Sequence, residues 1–337
     1  MNDPFYIQWH FTNLCNLRCQ HCYQEDFSNK SDLDGSGLKK ISDHLLTTLR
    51  EWDQTACIHL TGGEPLLKPE LFPLLNELDQ QSVVEELGLI TNGLLIDPDL
   101  IRRLSGFSKL KKMKISLDGA NAATNDSIRS KGTFDKVIQN LSQLKEAARF
   151  EIFFMFTVMK RNFKELPSFL KLCQDLSIDG LIIERFIPLG RGQEMMGEVL
   201  TKKEWKEMTK MLLDFFQIVE DDHFFLPYQA FQVSFNVDEP ELLGAPCVIG
   251  RDGICVMPNG DLFPCRRFPV SVGNLLKDSL KTIWDKSILL EQLRRKENLK
   301  GRCGRCEKKE CRGCRSLALA LTGDYFEEDP HCWYPAI

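Results

Sequence analysis

Cys15, Cys19 and Cys22 stand at C-x3-C-x2-C spacing directly after a short apolar stretch, and eight more cysteines (247, 255, 265, 303, 306, 311, 314 and 332) crowd the last 91 residues. Closely spaced thiolates are ligands for iron, and a cubane iron-sulfur cluster has four iron corners. Three protein sulfurs therefore leave one iron without a protein ligand, and an open coordination position is where a metal site does chemistry. Thirteen cysteines without a secretion signal argue for metal binding and against a disulfide framework. The two that remain read as packing residues, because a buried free Cys behaves as a small hydrophobe. Cys57 lies in the strand-like ACIHLT, and Cys173 shares an apolar stripe with Phe163, Leu166, Phe169, Leu170 and Leu176.

The elements that must position these residues alternate between two periods. Strand candidates cover 5–12, 56–61, 86–91, 112–117, 151–158 and 180–185. Helical stripes run between or after them: Leu38, Ile41, Leu45, Leu49 and Trp52; Phe134, Val137, Ile138, Leu141 and Leu144; Trp205, Met208, Leu212, Phe215 and Val219. Six β/α units predict a parallel sheet with helices outside and a site at the C-terminal ends of its strands. The cysteine trio follows strand one, Gly62-Gly63-Glu64-Pro65 strand two, Thr91-Asn92-Gly93 strand three, and Ser116 to Gly119 closes strand four. After about residue 236 the periodicity stops, apart from a hairpin signal over Ile254 to Cys265 around Asn259-Gly260 and a helix candidate near 279–295. A region this poor in regular core needs another source of stability, which metal clusters supply. Two domains are expected, 1–236 and 237–337.

Composition excludes some classes. The 337 residues, 43% apolar with 22 Phe, suffice for a sizeable core. A charge of -5 from 43 basic and 48 acidic side chains lacks the footprint of nucleic-acid binding. The N-terminus has no signal-peptide pattern and the longest apolar run, Ile152 to Met159, is too short for a span. A cytoplasmic protein with neither nucleic-acid nor membrane partners is expected.

WHFTNLCNLRCQHCYQ resembles the cluster-binding loop of radical S-adenosylmethionine (SAM) enzymes, and TGGEP, SLDG and IRSKGTFDKVIQNL resemble that family's later motifs in order and spacing over roughly the first 190 residues. The resemblance implies a partial (β/α)6 TIM-type barrel in which Cys15, Cys19 and Cys22 hold a [4Fe-4S] cluster. SAM would chelate the open iron, and one electron would cleave it to methionine and a hydrogen-abstracting 5'-deoxyadenosyl radical. Gly62 and Gly63 permit close backbone approach, so that Glu64 or nearby carbonyls can meet the SAM ammonium. Ser116 and Asp118 suit ribose or carboxylate, Arg129 the carboxylate, His21 the adenine flank, and Leu189 in PLGRG an apolar adenine contact. The bland alternatives are a tight turn at Gly62-Gly63, and capping and a surface salt bridge at the polar residues.

The C-terminal cysteines resemble the SPASM extension of peptide-modifying radical SAM enzymes, a small irregular domain with two auxiliary [4Fe-4S] clusters. By that resemblance Cys247, Cys255, Cys265 and Cys314 hold the first, and Cys303, Cys306, Cys311 and Cys332 the second, making three clusters in all. Paired CxxC units are also zinc-ribbon signatures, but only four residues separate these pairs, against about 15–20 in such a ribbon. Arg302, Arg305, Lys308, Lys309, Arg312 and Arg315 would offset cluster charge, or form a plain solvated face.

Enzymes that this chain resembles modify peptide or protein side chains, so maturation of a ribosomally made peptide by thioether, carbon-carbon or related bond formation is expected. A first strand near residue 5 leaves any leader-peptide reader to a separate protein or none at all, and a donor such as flavodoxin or ferredoxin would supply electrons. Sulfatase-type formylglycine maturases typically carry an Asp base after the cysteine matching Cys265. Here Arg266 stands there and cannot accept a proton; it serves at most as a substrate contact, and no other catalytic residue is legible. Tetrapyrrole side-chain modification is a further alternative, for which Arg185 and Arg191 would bind carboxylates. A non-catalytic iron-sulfur scaffold or electron carrier would need no SAM pocket.

Overall fold

The computed structural model describes residues 3–147, 149–219, 228–235, 240–308 and 311–334. Six parallel strands, β1 (Phe5–His10), β2 (Ala56–Thr61), β3 (Val84–Thr91), β4 (Leu110–Ser116), β5 (Glu151–Val158) and β6 (Gly180–Arg185), lie side by side in chain order. Apolar residues make up most of them, and helices cover their outer face, as parallel strands require. Phe154 and Phe156 of β5, for instance, pack on Phe169 at centroid distances of 6.0 and 4.6 Å. Seven helices accompany them: α1 (Gly35–Glu51), α2 (Leu71–Asp79), α3 (Pro98–Leu104), α4 (Ala122–Ile128), α5 (Thr133–Ala147), α6 (Leu166–Asp175) and α7 (Lys202–Phe215).

Local sequence explains where helices start. Asp34, Asp97 and Asn121 accept backbone N–H bonds at the N-termini of α1, α3 and α4, and Thr201 with Glu204 forms a reciprocal capping box on α7. The stripe predicted through Val219 stops earlier. α7 ends at Phe215, Gln217 adopts a left-handed conformation (φ 51°), and Val219 is fully exposed.

The C-terminal region extends the same sheet instead of standing apart. β7 (Tyr228–Ser234) adds antiparallel to β6, and β8 (Glu241–Pro246) antiparallel to β7. At the other edge β9 (Gly253–Val256) pairs parallel with β1, followed by β10 (Asp261–Phe263) and β11 (Gly273–Asn274), giving an 11-stranded mixed sheet. The predicted hairpin is thus β9–β10, and Cys255 lies opposite Gln8 of β1. The expected helix near 279–295 is two, α8 (Leu280–Lys286) and α9 (Ile288–Arg294), divided at Ser287, whose side chain caps the second. Two short helices, α10 (Gly301–Arg305) and α11 (Arg315–Thr322), complete the region. The domain boundary expected at 236/237, and Lys309, lie outside the described residues. Among the described residues no helix is long and apolar enough to cross a membrane.

Candidate functional site

A cleft of about 900 Å³, counting its open mouth, lies at the C-terminal ends of the six parallel strands. Every one of them contributes: Cys15, Cys19 and Cys22 from the loop after β1; Thr61, Gly62 and Gly63 from β2 and its loop; Thr91 and Asn92 at the end of β3; Ser116 of β4; Met155 and Thr157 of β5; and Glu184 to Ile187 at the end of β6. Arg266 and Arg267, after β10, close the remaining side.

The glycine pair acts on the cysteine loop. A Cβ at Gly62 would lie 2.3 Å from the Thr12 carbonyl oxygen, and one at Gly63 2.4 Å from that of Leu14. Only glycine lets the two backbones meet, and they bond there: Gly63 N–H to Thr12 O at 2.8 Å and Glu64 N–H to Leu14 O at 2.7 Å. A second clamp comes from Asp32, which accepts from the Thr12 hydroxyl and the Asn13 N–H, while Lys68 donates to the Phe11 and Leu33 carbonyls at 3.2 and 2.7 Å. Arg18 donates to the Cys15 and Leu17 carbonyls. The chain around the three thiols is therefore held from both sides.

Several expected contacts take positions that the sequence did not indicate. Glu64 is wholly buried and turned away from the cleft lining; it accepts from the Thr91 hydroxyl and the Asn92 and Leu66 N–H groups at 2.8, 2.8 and 3.1 Å, tying β2 to β3. Burial raises its pKa to about 7 against the pull of these donors. Asp118 is also wholly buried. It accepts from Thr157 N–H at 2.8 Å and pairs with Arg129 Nη2 at 2.8 Å and with His21 Nε2 at 3.3 Å, so it holds two cleft residues in place without lining the cleft itself. Burial outweighs this carboxylate and drops the His21 pKa to about 4, leaving a neutral ring. Arg129 also approaches Cys19 Sγ at 4.0 Å. Ser116 lines the cleft, but Leu189 packs outside it, and Ile187 supplies the apolar wall. Arg266 pairs with Glu184 at 3.3 Å and lies 4.9 Å over the Tyr23 ring.

Sequence reasoning missed Glu184, Arg267, Thr157 and Asp329. A glutamate in the apolar strand GLIIER was a usable signal; nothing local marked the others.

Thirteen free thiols are present, and electrostatic influence sorts eleven into three groups. Cys15, Cys19 and Cys22 influence one another. Cys247 feels Cys314 and Cys265, and Cys255 feels Cys265. Cys311 feels Cys303 and Cys306, and Cys332 feels Cys303 and Cys311. Cys173 is buried in α6, and Cys57 on β2 belongs to no group. Backbone N–H groups reach Sγ two residues back at Cys15, Cys306 and Cys311, each at 3.4 Å. Such donors favour a thiolate, yet burial dominates and pushes Cys15 and Cys22 up to about 11 and Cys247 and Cys255 up to about 12. Metal must therefore displace protons to bind. Among the basic residues of this region, Arg315 is buried, with Nη2 3.9 Å from Cys303 Sγ.

Among the described residues no three His, Cys, Asp or Glu side chains converge as ligands of one ion. A tetrahedral ion draws its ligands to a point, whereas each corner of a cubane takes its own thiolate. The N–H groups aimed at Cys15, Cys306 and Cys311 sulfurs suit thiolate ligands, which an iron-sulfur cluster requires.

Residues 9–173 match the radical SAM superfamily model, and 247–315 match SPASM, an iron-sulfur cluster-binding domain. The AdoMet-dependent heme synthase of Methanosarcina barkeri is 30% identical over 99% of this chain and 97% of its own length. The mycofactocin maturase MftC of Mycolicibacterium smegmatis is 29% identical over 98% and 83%. Native anSMEcpe, solved with bound AdoMet and a Cp18Cys peptide, shares the fold at TM-score 0.74 and 19% identity, over 98% of this chain and 94% of its own. These matches imply bound iron-sulfur clusters and SAM. The cleft at the strand ends, with its cysteine trio, is that of a radical SAM enzyme, and the chain belongs to the radical SAM superfamily with a C-terminal SPASM domain.

Proposed function

We propose that the protein matures a ribosomally made peptide, abstracting hydrogen from a side chain that enters the cleft, with three [4Fe-4S] clusters held by the three thiol groups. The cluster of Cys15, Cys19 and Cys22, when bound, supplies the electron and the open iron for SAM cleavage. Arg129, oriented by Asp118, would receive the SAM carboxylate, and Gly62, Gly63, Ser116 and His21 the rest of the cofactor. An electron donor such as flavodoxin or ferredoxin completes the scheme.

The observation that carries this reading is the charge balance of the cleft. Of its four lining arginines Arg129 is reserved for SAM, while Arg185 pairs with Asp329, and Arg266 and Arg267 share Glu184 at 3.3 and 3.4 Å. Those three guanidinium groups against two carboxylates leave a surplus of one positive charge. That suits a peptide, whereas a substrate with several carboxylates needs several unmatched cations. Arg185, which would have served a tetrapyrrole, is committed to Asp329 at 2.8 Å. Formylglycine formation ranks lower, because Arg266 replaces the expected base and is itself ion-paired.

Tetrapyrrole side-chain modification is the second reading, favoured by the 30% identity to a heme synthase over nearly the whole of both chains. Reduced, cluster-loaded enzyme given SAM and either deuterated candidate peptides or a deuterated porphyrinoid separates the two. Deuterium in 5'-deoxyadenosine from a peptide is expected; deuterium from the porphyrinoid alone refutes the peptide reading.

A further inference from the structure

Asp329 stands between the two C-terminal thiol groups and touches both. Its backbone N–H donates to Cys303 Sγ at 3.3 Å, and its carboxylate accepts from the Cys314 N–H at 2.8 Å. The same carboxylate accepts from the His331 N–H at 2.9 Å and, through both oxygens, from Arg185 Nη1 at 2.9 and 2.8 Å. Asp329 and Arg185 are each 2% exposed. Arg185 is fixed in turn, its guanidinium 4.5 Å over the Trp205 ring, and Trp205 stacks on His331 at 4.9 Å. The carboxylate is thus pinned by a barrel strand, by α7 and by its own turn.

Its charge reaches both groups. Through these contacts it lies against Cys314 on one side and Cys303 on the other. The potential of a thiolate-held cluster follows net charge and hydrogen bonds to its sulfurs, and buried charges act with little screening by salt.

We propose that Asp329 is a shared positioning residue that sets the reduction potentials of both auxiliary clusters together, with Arg185 as its counter-charge. The proposal rests on the two-cluster reading, in which Cys303 and Cys314 serve different clusters. A negative charge beside a cluster opposes its reduction, and the adjacent guanidinium offsets most of that effect. Removing Asp329 alone therefore leaves an uncompensated positive charge beside both clusters, while removing both charges restores the balance.

The test is an EPR-monitored redox titration of anaerobically loaded, full-length protein. In D329N both auxiliary potentials should move upward and that of the SAM-binding cluster should stay. In the double variant R185Q/D329N both should return toward wild type, although more of the structure has been changed. A merely structural role predicts the reverse order, with the double variant further from wild type than the single. Two auxiliary signals of which only one moves, no movement in an iron-replete D329N, or a double variant displaced as far as the single would each overturn the proposal. Should D329N fail to hold iron, the double variant decides alone: wild-type-like potentials support the charge balance and displaced ones refute it. Loss of iron from both variants would assign the pair to assembly and equally overturn the proposal. Fewer than two auxiliary signals in the wild type would instead refute the two-cluster reading itself.

Discussion

Gly63→Ala should detach the cysteine loop from β2. The added methyl would sit 2.4 Å from the Leu14 carbonyl oxygen and 2.6 Å from that of Asn13, both backbone atoms that cannot rotate away. Reaching 3.0 Å from the nearer oxygen requires a shift of at least 0.6 Å (3.0 less 2.4) in one of the two backbones. Overpacking of this kind costs about 1–3 kcal/mol. The shift also strains the Gly63–Thr12 and Glu64–Leu14 bonds of 2.8 and 2.7 Å, each worth about 1 kcal/mol. A combined loss of about 3 kcal/mol is expected, or roughly a hundredfold in the folding equilibrium at 1.4 kcal/mol per tenfold. Urea unfolding of metal-free protein measures it. Iron analysis after reconstitution should show the N-terminal cluster depleted and C-terminal iron retained. Gly197→Ala, where a Cβ meets nothing within 4 Å, is the control. Wild-type stability and full iron in Gly63→Ala would refute the close-approach argument.

Three further outcomes are expected. Cys19→Ala should abolish SAM cleavage and leave C-terminal iron in place; 5'-deoxyadenosine production at wild-type rate would contradict the ligand assignment. Arg129→Ala should weaken SAM binding by about ten- to a hundredfold, the loss of one charge-assisted bond, and destabilise the fold by about 3–5 kcal/mol by leaving buried Asp118 without a cationic partner; calorimetric titration with SAM and urea unfolding test the two effects. The third concerns pH. Cys15 and Cys22 rise from an ordinary 9.0 to about 11 on burial, so the folded metal-free state holds more protons than the unfolded chain between those values. Stability is then fully present below pH 9 and is lost as pH climbs toward 11. Cluster-loaded protein, its thiolates already formed, should lack that decline in thermal melts.

How much of this was legible differs from residue to residue. The six parallel strands were found within about two residues at each end, because β-branched and aromatic runs bounded by Gly, Asn and Asp carry strand and turn preferences locally. The C-terminal attachment was not. β9 is four residues long, and its pairing with β1 joins residues 247 positions apart, a match of edges that leaves no periodic trace. Similarly, Arg129 and Ser116 were identified from their motifs and lie in the cleft, while Glu64 of TGGEP and Leu189 of PLGRG face elsewhere. A motif states which residue types occur at a turn but not which way each side chain rotates once the backbone closes.

The sequence by itself determined the chemistry on offer, because the count, type and spacing of sulfur donors are properties of the chain: three closely spaced thiols after the first strand, and eight more in a C-terminal region that matches an iron-sulfur cluster-binding domain. Only the tertiary structure decided the electrostatic setting of that chemistry. Asp118, expected as a cofactor contact, is buried against Arg129 and His21. Glu184 gathers Arg266 and Arg267 from 82 and 83 residues away, and Asp329 meets Arg185 across 144. Burial makes such partners necessary, since a guanidinium or carboxylate removed from water must be paired, and which charges are buried together is fixed by packing that no local pattern records.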